Sequence, residues 1–76
     1  MNTMNIENLI QIFQKEFPEI SDLITPQTKF QELSSWDSLT AMSILTTIEE
    51  DYGIALSERD FKSMQTIEEV FNHISK

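Results

Sequence analysis

The sequence predicts an all-α fold: an antiparallel four-helix bundle with a short third helix and a long loop between helices one and two. Three observations predict it. The 76 residues include one glycine and two prolines, too few for the turns of a β fold. Apolar residues recur at spacings of three and four in separate segments, the period of an amphipathic helix. Cap and stop residues fall at the edges of those segments. At this length the chain is expected to form one domain, residues 1–76, with room for one small core and none for a deep catalytic cavity.

The first helix is marked by Ile6, Leu9, Ile10, Phe13 and Phe17 on one face. Asn5 or Thr3 can cap its start, and Pro18 ends it near Phe17. From Pro18 to Asp37 the periodicity breaks, giving a connection of about twenty residues, long for a compact domain. Ile20, Leu23, Ile24, Phe30 and Leu33 are expected to pin it to the core. Ser21-Asp22 can start a short helical turn within it.

The second helix begins at Asp37 or Ser38, either of which can cap it. Leu39, Met42, Leu45, Ile48 and Tyr52 mark the stripe expected to be buried, with Ile44 on its flank. Gly53 can take the left-handed conformation that stops the helix. Glu49, Glu50 and Asp51 fall in the last turn, where the helix dipole disfavours negative charge by a few tenths of a kcal/mol each, roughly. Ser57 then caps a short helix running to about Met64, with Phe61 and Met64 facing inward. Thr66-Ile67-Glu68-Glu69 reads as a capping box, and Ile67, Val70, Phe71 and Ile74 form the buried stripe of the last helix.

Composition excludes several functions. With no cysteine, the chain has no disulfide, no thiolate metal site and no cysteine nucleophile, and a reducing cytoplasm suits it. No apolar run is long enough to span a membrane, and no signal peptide is expected at the N-terminus. The formal net charge is -8, so nucleic acid and anionic lipid surfaces repel the chain. Between Lys29 and Arg59 there is no basic residue, while Glu32, Asp37, Glu49, Glu50, Asp51 and Glu58 all lie there. Partners are therefore expected to be proteins with basic docking patches, met by a monomer.

Catalytic chemistry has no visible seat. His73 is the single histidine, so no histidine or cysteine partner can join it on a metal. No glycine-rich loop can cradle a nucleotide. The stretch from Glu49 to Asp60 lacks the alternating oxygen ligands of a calcium loop. No catalytic residue and no metal site are expected.

Ser38 is the residue of interest. Asp37-Ser38 at a loop-to-helix junction is, in most chains, only a cap. A hydroxyl there is also open to a modifying enzyme, and a phosphate placed on it would meet the positive end of the helix.

The run Phe30-Gln31-Glu32-Leu33, then Ser34-Ser35-Trp36-Asp37-Ser38-Leu39, resembles the phosphopantetheine attachment region of acyl carrier proteins. Ile48-Glu49-Glu50-Asp51-Tyr52-Gly53-Ile54 is similar to the acidic end of that family's second helix, and Thr66 through Ile74 resembles its last helix. The resemblance runs from about Phe30 to Ile74, and the first helix agrees in length and pattern. It implies a discrete carrier that holds acyl groups as thioesters on a 4′-phosphopantetheine arm attached to Ser38 and catalyses nothing. The arm would come from coenzyme A through a phosphopantetheinyl transferase, whose docking Asp37 would assist. Acyl-activating, acyl-transfer or condensing enzymes would follow. The resemblance also gives Leu39 and Met42 apolar partner contacts and gives Glu49 and Glu50 contacts to basic residues. For Met42, core packing is the plainer expectation.

The chain departs from typical fatty-acid carriers at several places. Thr40, Ser43, Thr46 and Thr47 stand where acidic residues are usual, which weakens electrostatic steering. Trp36 precedes the Asp-Ser pair, where it is expected to pack over the loop and lock it. Phe61 stands where a small residue would line an acyl pocket, and its ring would fill that space. A specialised biosynthetic pathway, such as polyketide assembly, is therefore expected. The alternatives are a housekeeping carrier of fatty-acid synthesis, or an unmodified helical adaptor of the same fold.

Overall fold

The computed structural model describes residues 5–75, which form four α-helices and two short 3-10 turns. Helix α1 spans Ile6–Glu16, α2 Ser38–Tyr52, α3 Glu58–Lys62 and α4 Ile67–Ile74. The 3-10 turns, Pro18–Leu23 and Phe30–Glu32, both lie in the connection between α1 and α2. Helix α1 packs against α2 and α4, and α3 touches α2.

The predicted caps account for most helix ends. Asn5 accepts from the Asn8 N–H at 2.9 Å, and the Asn8 side chain accepts from the Asn5 N–H at 3.1 Å. That reciprocal pair closes the start of α1; Thr3, the other candidate, lies outside the described residues. Gly53 ends α2 at φ 68°, in the left-handed region where glycine alone carries no Cβ penalty. Ser57 caps α3 through the Asp60 N–H at 3.0 Å. Thr66 caps α4 through the Glu69 N–H at 3.2 Å. The return arm of the expected capping box differs: Glu69 accepts from the Gln65 N–H at 2.6 Å, one residue upstream of the cap.

The core consists of Leu9, Ile12, Phe13, Phe17, Ile24, Phe30, Ala41, Ile44, Ile48, Phe61, Met64, Ile67 and Val70. No polar or charged residue is buried among the described residues, so the interior costs nothing in unpaired polar groups. Five aromatic rings occupy its centre. Phe61 stacks on Phe30 at 5.1 Å between centroids, and Phe30 meets Phe13 and Trp36, each at 5.1 Å. Trp36 also stacks on Phe17 at 6.0 Å. Contacts of this kind contribute about 0.5–1.5 kcal/mol each beyond their buried area. Trp36 thus fixes the connection in place as expected from its size.

The stripe expected to be buried on α2 is corrected. Ala41, Ile44 and Ile48 are buried and Leu45 and Tyr52 half-buried. Leu39 is 76% exposed and Met42 56% exposed. The helix carries two apolar stripes, and a count of apolar spacings does not distinguish them. Small Ala41 turns inward, and the larger Leu39 and Met42 are left facing solvent. In the connection, Ile24 and Phe30 are buried and Ile20 and Leu33 half-buried, but Leu23 is 71% exposed. The Pro18–Leu23 segment is two short turns joined by a kink at Ile20: proline, with its preset φ, opens the first, and the expected turn at Ser21-Asp22 is the second, closed by the Ile24 N–H on the Ser21 carbonyl at 3.3 Å.

The connection is sewn to the far end of the chain. Lys29 and Thr66 form an isolated antiparallel bridge, and the Glu68 N–H donates to the Pro26 carbonyl at 2.9 Å. Gln31 Nε2 donates to the carbonyls of Met64 at 2.6 Å and Lys62 at 3.0 Å. These are carbonyls at and just beyond the C-terminal end of α3, where helical acceptors lack intrahelical partners. The long connection is therefore a fixed part of the fold, which sets where Asp37 and Ser38 stand.

Candidate functional site

Asp37, not Ser38, is the N-cap of α2. Its carboxylate accepts from the Thr40 N–H at 2.8 Å, and its backbone is extended, at φ -150°. The Thr40 N–H, then the Thr40 side chain, and to a smaller extent the Leu39 N–H hold the Asp37 carboxyl below the usual carboxylate range, slightly opposed by burial. Asp37 is thereby kept anionic.

With Asp37 as cap, Ser38 is the first residue of the helix. It is exposed, and its hydroxyl takes part in no hydrogen bond among the described residues. The cap duty that explains most serines at such junctions has passed to its neighbour. The Ser38 Oγ is left as an open nucleophile or attachment point at a helix end that favours negative charge.

Beside Ser38 lies an open groove of about 210 Å³ lined by Gln31, Trp36, Asp37, Ser38, Ala41, Phe61 and Lys62. Its walls are apolar at Trp36, Ala41 and Phe61. Sequence reasoning missed Gln31, Ala41 and Lys62 as neighbours of Ser38. Gln31 lies inside the Phe30-x-x-Leu33 lead-in, but nothing in its chemistry signals a reach to α3. Lys62 is brought to Ser38 only by the fold.

The other candidate residues separate into two groups. Leu39 and Met42 are exposed one turn apart next to Ser38. Glu49 and Glu50 are exposed on the same outward face, at seven-residue spacing from Met42 and Ser43. They stand about 17–18 Å further along the axis from Ser38, at ~1.5 Å rise per residue. The outward stripe of α2 is therefore apolar at the serine end and acidic at the far end. Between them, Ser43 and Thr46 are exposed and uncharged, while Thr40 and Thr47 are half-buried. The Thr47 hydroxyl donates to the Ser43 carbonyl at 2.9 Å.

No catalytic constellation accompanies the serine. His73 lies on α4, with Nε2 3.7 Å from Asp60 Oδ2 and both side chains about half exposed. Among the described residues no group of three or more His, Cys, Asp or Glu side chains could hold a metal ion. No helix among them is long and apolar enough to cross a membrane.

The residues present fit a phosphodiester-linked arm. The Ser38 hydroxyl is exposed at the first turn of a helix, where a negative phosphodiester is favoured, and it borders an open groove.

Comparison with known proteins gives the same direction. A family model described as "Phosphopantetheine attachment site" matches residues 7–74, extending the likeness through α1. The chain is 26% identical over 73 residues to an acyl carrier protein of Phytoplasma australiense, covering 96% of each. It is 21% identical over 68 residues to an acyl carrier protein of Syntrophobacter fumaroxidans (strain DSM 10017 / MPOB), covering 90% of this chain and 84% of the other.

Proposed function

The chain belongs to the acyl carrier protein family, with a phosphopantetheine attachment domain, and we propose that Ser38 carries the arm and serves a specialised biosynthetic pathway. The cofactor of this family is covalently attached 4′-phosphopantetheine, and its members are carriers rather than catalysts. The observation that carries the assignment of Ser38 is its freedom. Asp37 takes the cap, so the Ser38 hydroxyl is exposed and uncommitted.

When attached, the arm supplies a terminal thiol that holds the acyl group as a thioester. The chain's own residues present and orient it. Asp37 closes the helix end and fixes the backbone of Ser38, and Trp36 anchors the approach by its contacts with Phe17, Phe30 and Phe61. The phosphopantetheinyl transferase and later acyl-activating, acyl-transfer or condensing enzymes would dock on the outward stripe of α2. Leu39 and Met42 would enter apolar pockets, and Glu49 and Glu50 would meet basic residues. Exposure of Leu39 and Met42 supports this use, since neither is spent on the core.

Two features support a specialised pathway over bulk fatty-acid synthesis. Uncharged Ser43 and Thr46 replace negative charge in the middle of the docking stripe, which lowers steering by enzymes built for a more acidic helix. Phe61 is 1% exposed and fills the space between α2, α3 and the connection, which leaves little room for a long acyl chain.

The test of the attachment site is a mass measurement. With coenzyme A and a broad-specificity transferase, the wild-type chain gains one phosphopantetheine and Ser38→Ala gains none. Wild type remaining unmodified would favour an adaptor of the same fold and overturn the assignment. The pathway is tested separately by malonyl transfer from fatty-acid-synthesis enzymes onto the loaded chain. A rate near that of a dedicated fatty-acid carrier would show a housekeeping role instead.

A further inference from the structure

A second groove, of about 510 Å³, lies where α1 ends and the Pro18–Leu23 segment turns back. It is more than twice the size of the groove beside Ser38 and shares no lining residue with it. None of its lining belongs to α2, α3 or α4. Phe17, Pro18, Ile20, Leu23 and Leu33 give it an apolar surface, which extends to Ser34 and Ser35 just ahead of the Asp37-Ser38 pair.

Leu23 stands in this surface 71% exposed, and hydrogen bonds hold its backbone that way. Gln14 Nε2 donates to the Ser21 carbonyl at 3.0 Å, and the Thr28 hydroxyl donates to the Leu23 carbonyl at 3.4 Å. The neighbouring Ile24 takes the inward position. A single exposed leucine is ordinary on a protein surface. Leu23 is not single: it adjoins exposed Pro18 and half-buried Ile20 and Leu33 in one groove, and continuous apolar patches mark interaction surfaces.

The charge around the groove has one sign. Glu16, Glu19 and Glu32 stand in its lining, and no lysine or arginine does. None of these three carboxylates is in an ion pair among the described residues. An occupant must therefore offer apolar side chains to the floor and positive charge to the rim. A second copy of this chain fails the second condition. Its exposed apolar pair, Leu39 and Met42, lies on a helix without a basic residue, and each copy carries a formal charge of -8. An anionic membrane is repelled for the same reason.

We propose that this groove is a second docking surface, one that takes a cationic amphipathic segment of a partner protein. Its large apolar side chains lie against Leu23 and Leu33, and its lysines or arginines meet Glu16, Glu19 and Glu32. The groove shares no residue with the outward stripe of α2, and its use does not depend on the attachment of an arm to Ser38.

Trp36 is the sole tryptophan and stacks on Phe17, the floor of the groove, at 6.0 Å, so its emission reports occupancy. The probes are tryptophan-free synthetic helical peptides of equal length. The first has leucine on one face and lysine on the other, the second replaces lysine by glutamate, and the third replaces leucine by serine. Each is titrated into the full apo chain, so the outcome is separate from whether Ser38 takes an arm, and backbone amide shifts locate the contact. The leucine–lysine peptide is expected to bind and to move amides at 17–23 and 33–35, and the other two peptides to bind about tenfold more weakly or less, the loss expected when either the apolar or the charged contact is removed. Leu23→Ser, at an exposed position and with its fold checked by thermal unfolding, should weaken binding about tenfold, equivalent to ~1.4 kcal/mol. Glu19→Gln combined with Glu32→Gln should weaken it about fivefold, and added salt should weaken it in wild type. The proposal is overturned if the leucine–lysine peptide does not bind, or if the serine–lysine peptide binds equally well, which would show bulk charge attraction only. Amide shifts confined to α2 would overturn it too. So would self-association of the chain, seen by sedimentation equilibrium and abolished by Leu23→Ser, which would give the groove to a second copy.

Discussion

Replacing Phe61 by alanine should open space in the core for an acyl chain. Phe61 is 1% exposed and lies 5.1 Å from Phe30, 5.8 Å from Trp36 and 6.5 Å from Phe13 between ring centroids. Removing a buried ring of this kind costs about 3–5 kcal/mol. A chain of this length is expected to have a total stability of about 4–11 kcal/mol, at ~0.05–0.15 kcal/mol per residue. The variant keeps little reserve, so Phe61→Leu, with roughly half the loss, serves as the milder form. An octanoyl chain entering the vacated space would bury about four methylenes at ~0.8 kcal/mol each, returning about 3 kcal/mol. For a domain of this size each kcal/mol moves the melting temperature by about 4–8 °C. Octanoyl loading is therefore expected to raise the Tm of Phe61→Ala by more than 10 °C, roughly, over its holo form. In wild type the rings already occupy that volume, and octanoyl loading should raise Tm by little. The measurement is thermal unfolding by circular dichroism on holo and octanoyl forms of both proteins. A wild-type gain as large as the variant's would refute the reasoning, because the ring would then be no barrier.

Two other outcomes follow from local structure. Gln31→Ala removes the donor to the Lys62 and Met64 carbonyls and should lower stability by about 1–3 kcal/mol in urea titration, a large effect for an exposed residue. Asp37 has its folded-state carboxyl lowered from 3.8 by the Thr40 N–H, so its stabilising contribution is fully present above the unfolded value and is lost as pH falls through the lowered folded one. Asp37→Asn should therefore differ from wild type in urea midpoint near neutrality, with the difference shrinking below pH ~3.8; a difference constant across that range would contradict this origin.

The helices were legible because their signals are local. Asn5, Ser57 and Thr66 cap where side-chain chemistry predicts, and Gly53 stops α2 as its freedom from a Cβ allows. Ser38 was legible by its surroundings in the chain, from Phe30 to Leu39. What sequence could not settle is rotation and approach. Leu39 and Met42 satisfy helical spacing as well as Ile44 and Ile48 do, and only the packing of α1 against α2 decides which stripe is covered. Ile12 is buried although it falls outside the expected stripe of α1. Lys62 stands at the groove because of contacts across thirty residues, made by Gln31 with carbonyls that carry no sequence signal.

The brevity of α3 has a consequence for how the molecule moves. Five residues are too few to sustain a helix alone, so this turn persists only while Phe61 is seated and Gln31 holds its end. Its amide protons should exchange with solvent through a local opening far cheaper than global unfolding. The wall that bears Lys62 is thus also the part of the protein that loosens first. Because Phe61 belongs to both this turn and the ring cluster, each opening of α3 would also uncover one edge of the aromatic centre, while α1, α2 and α4 stay packed.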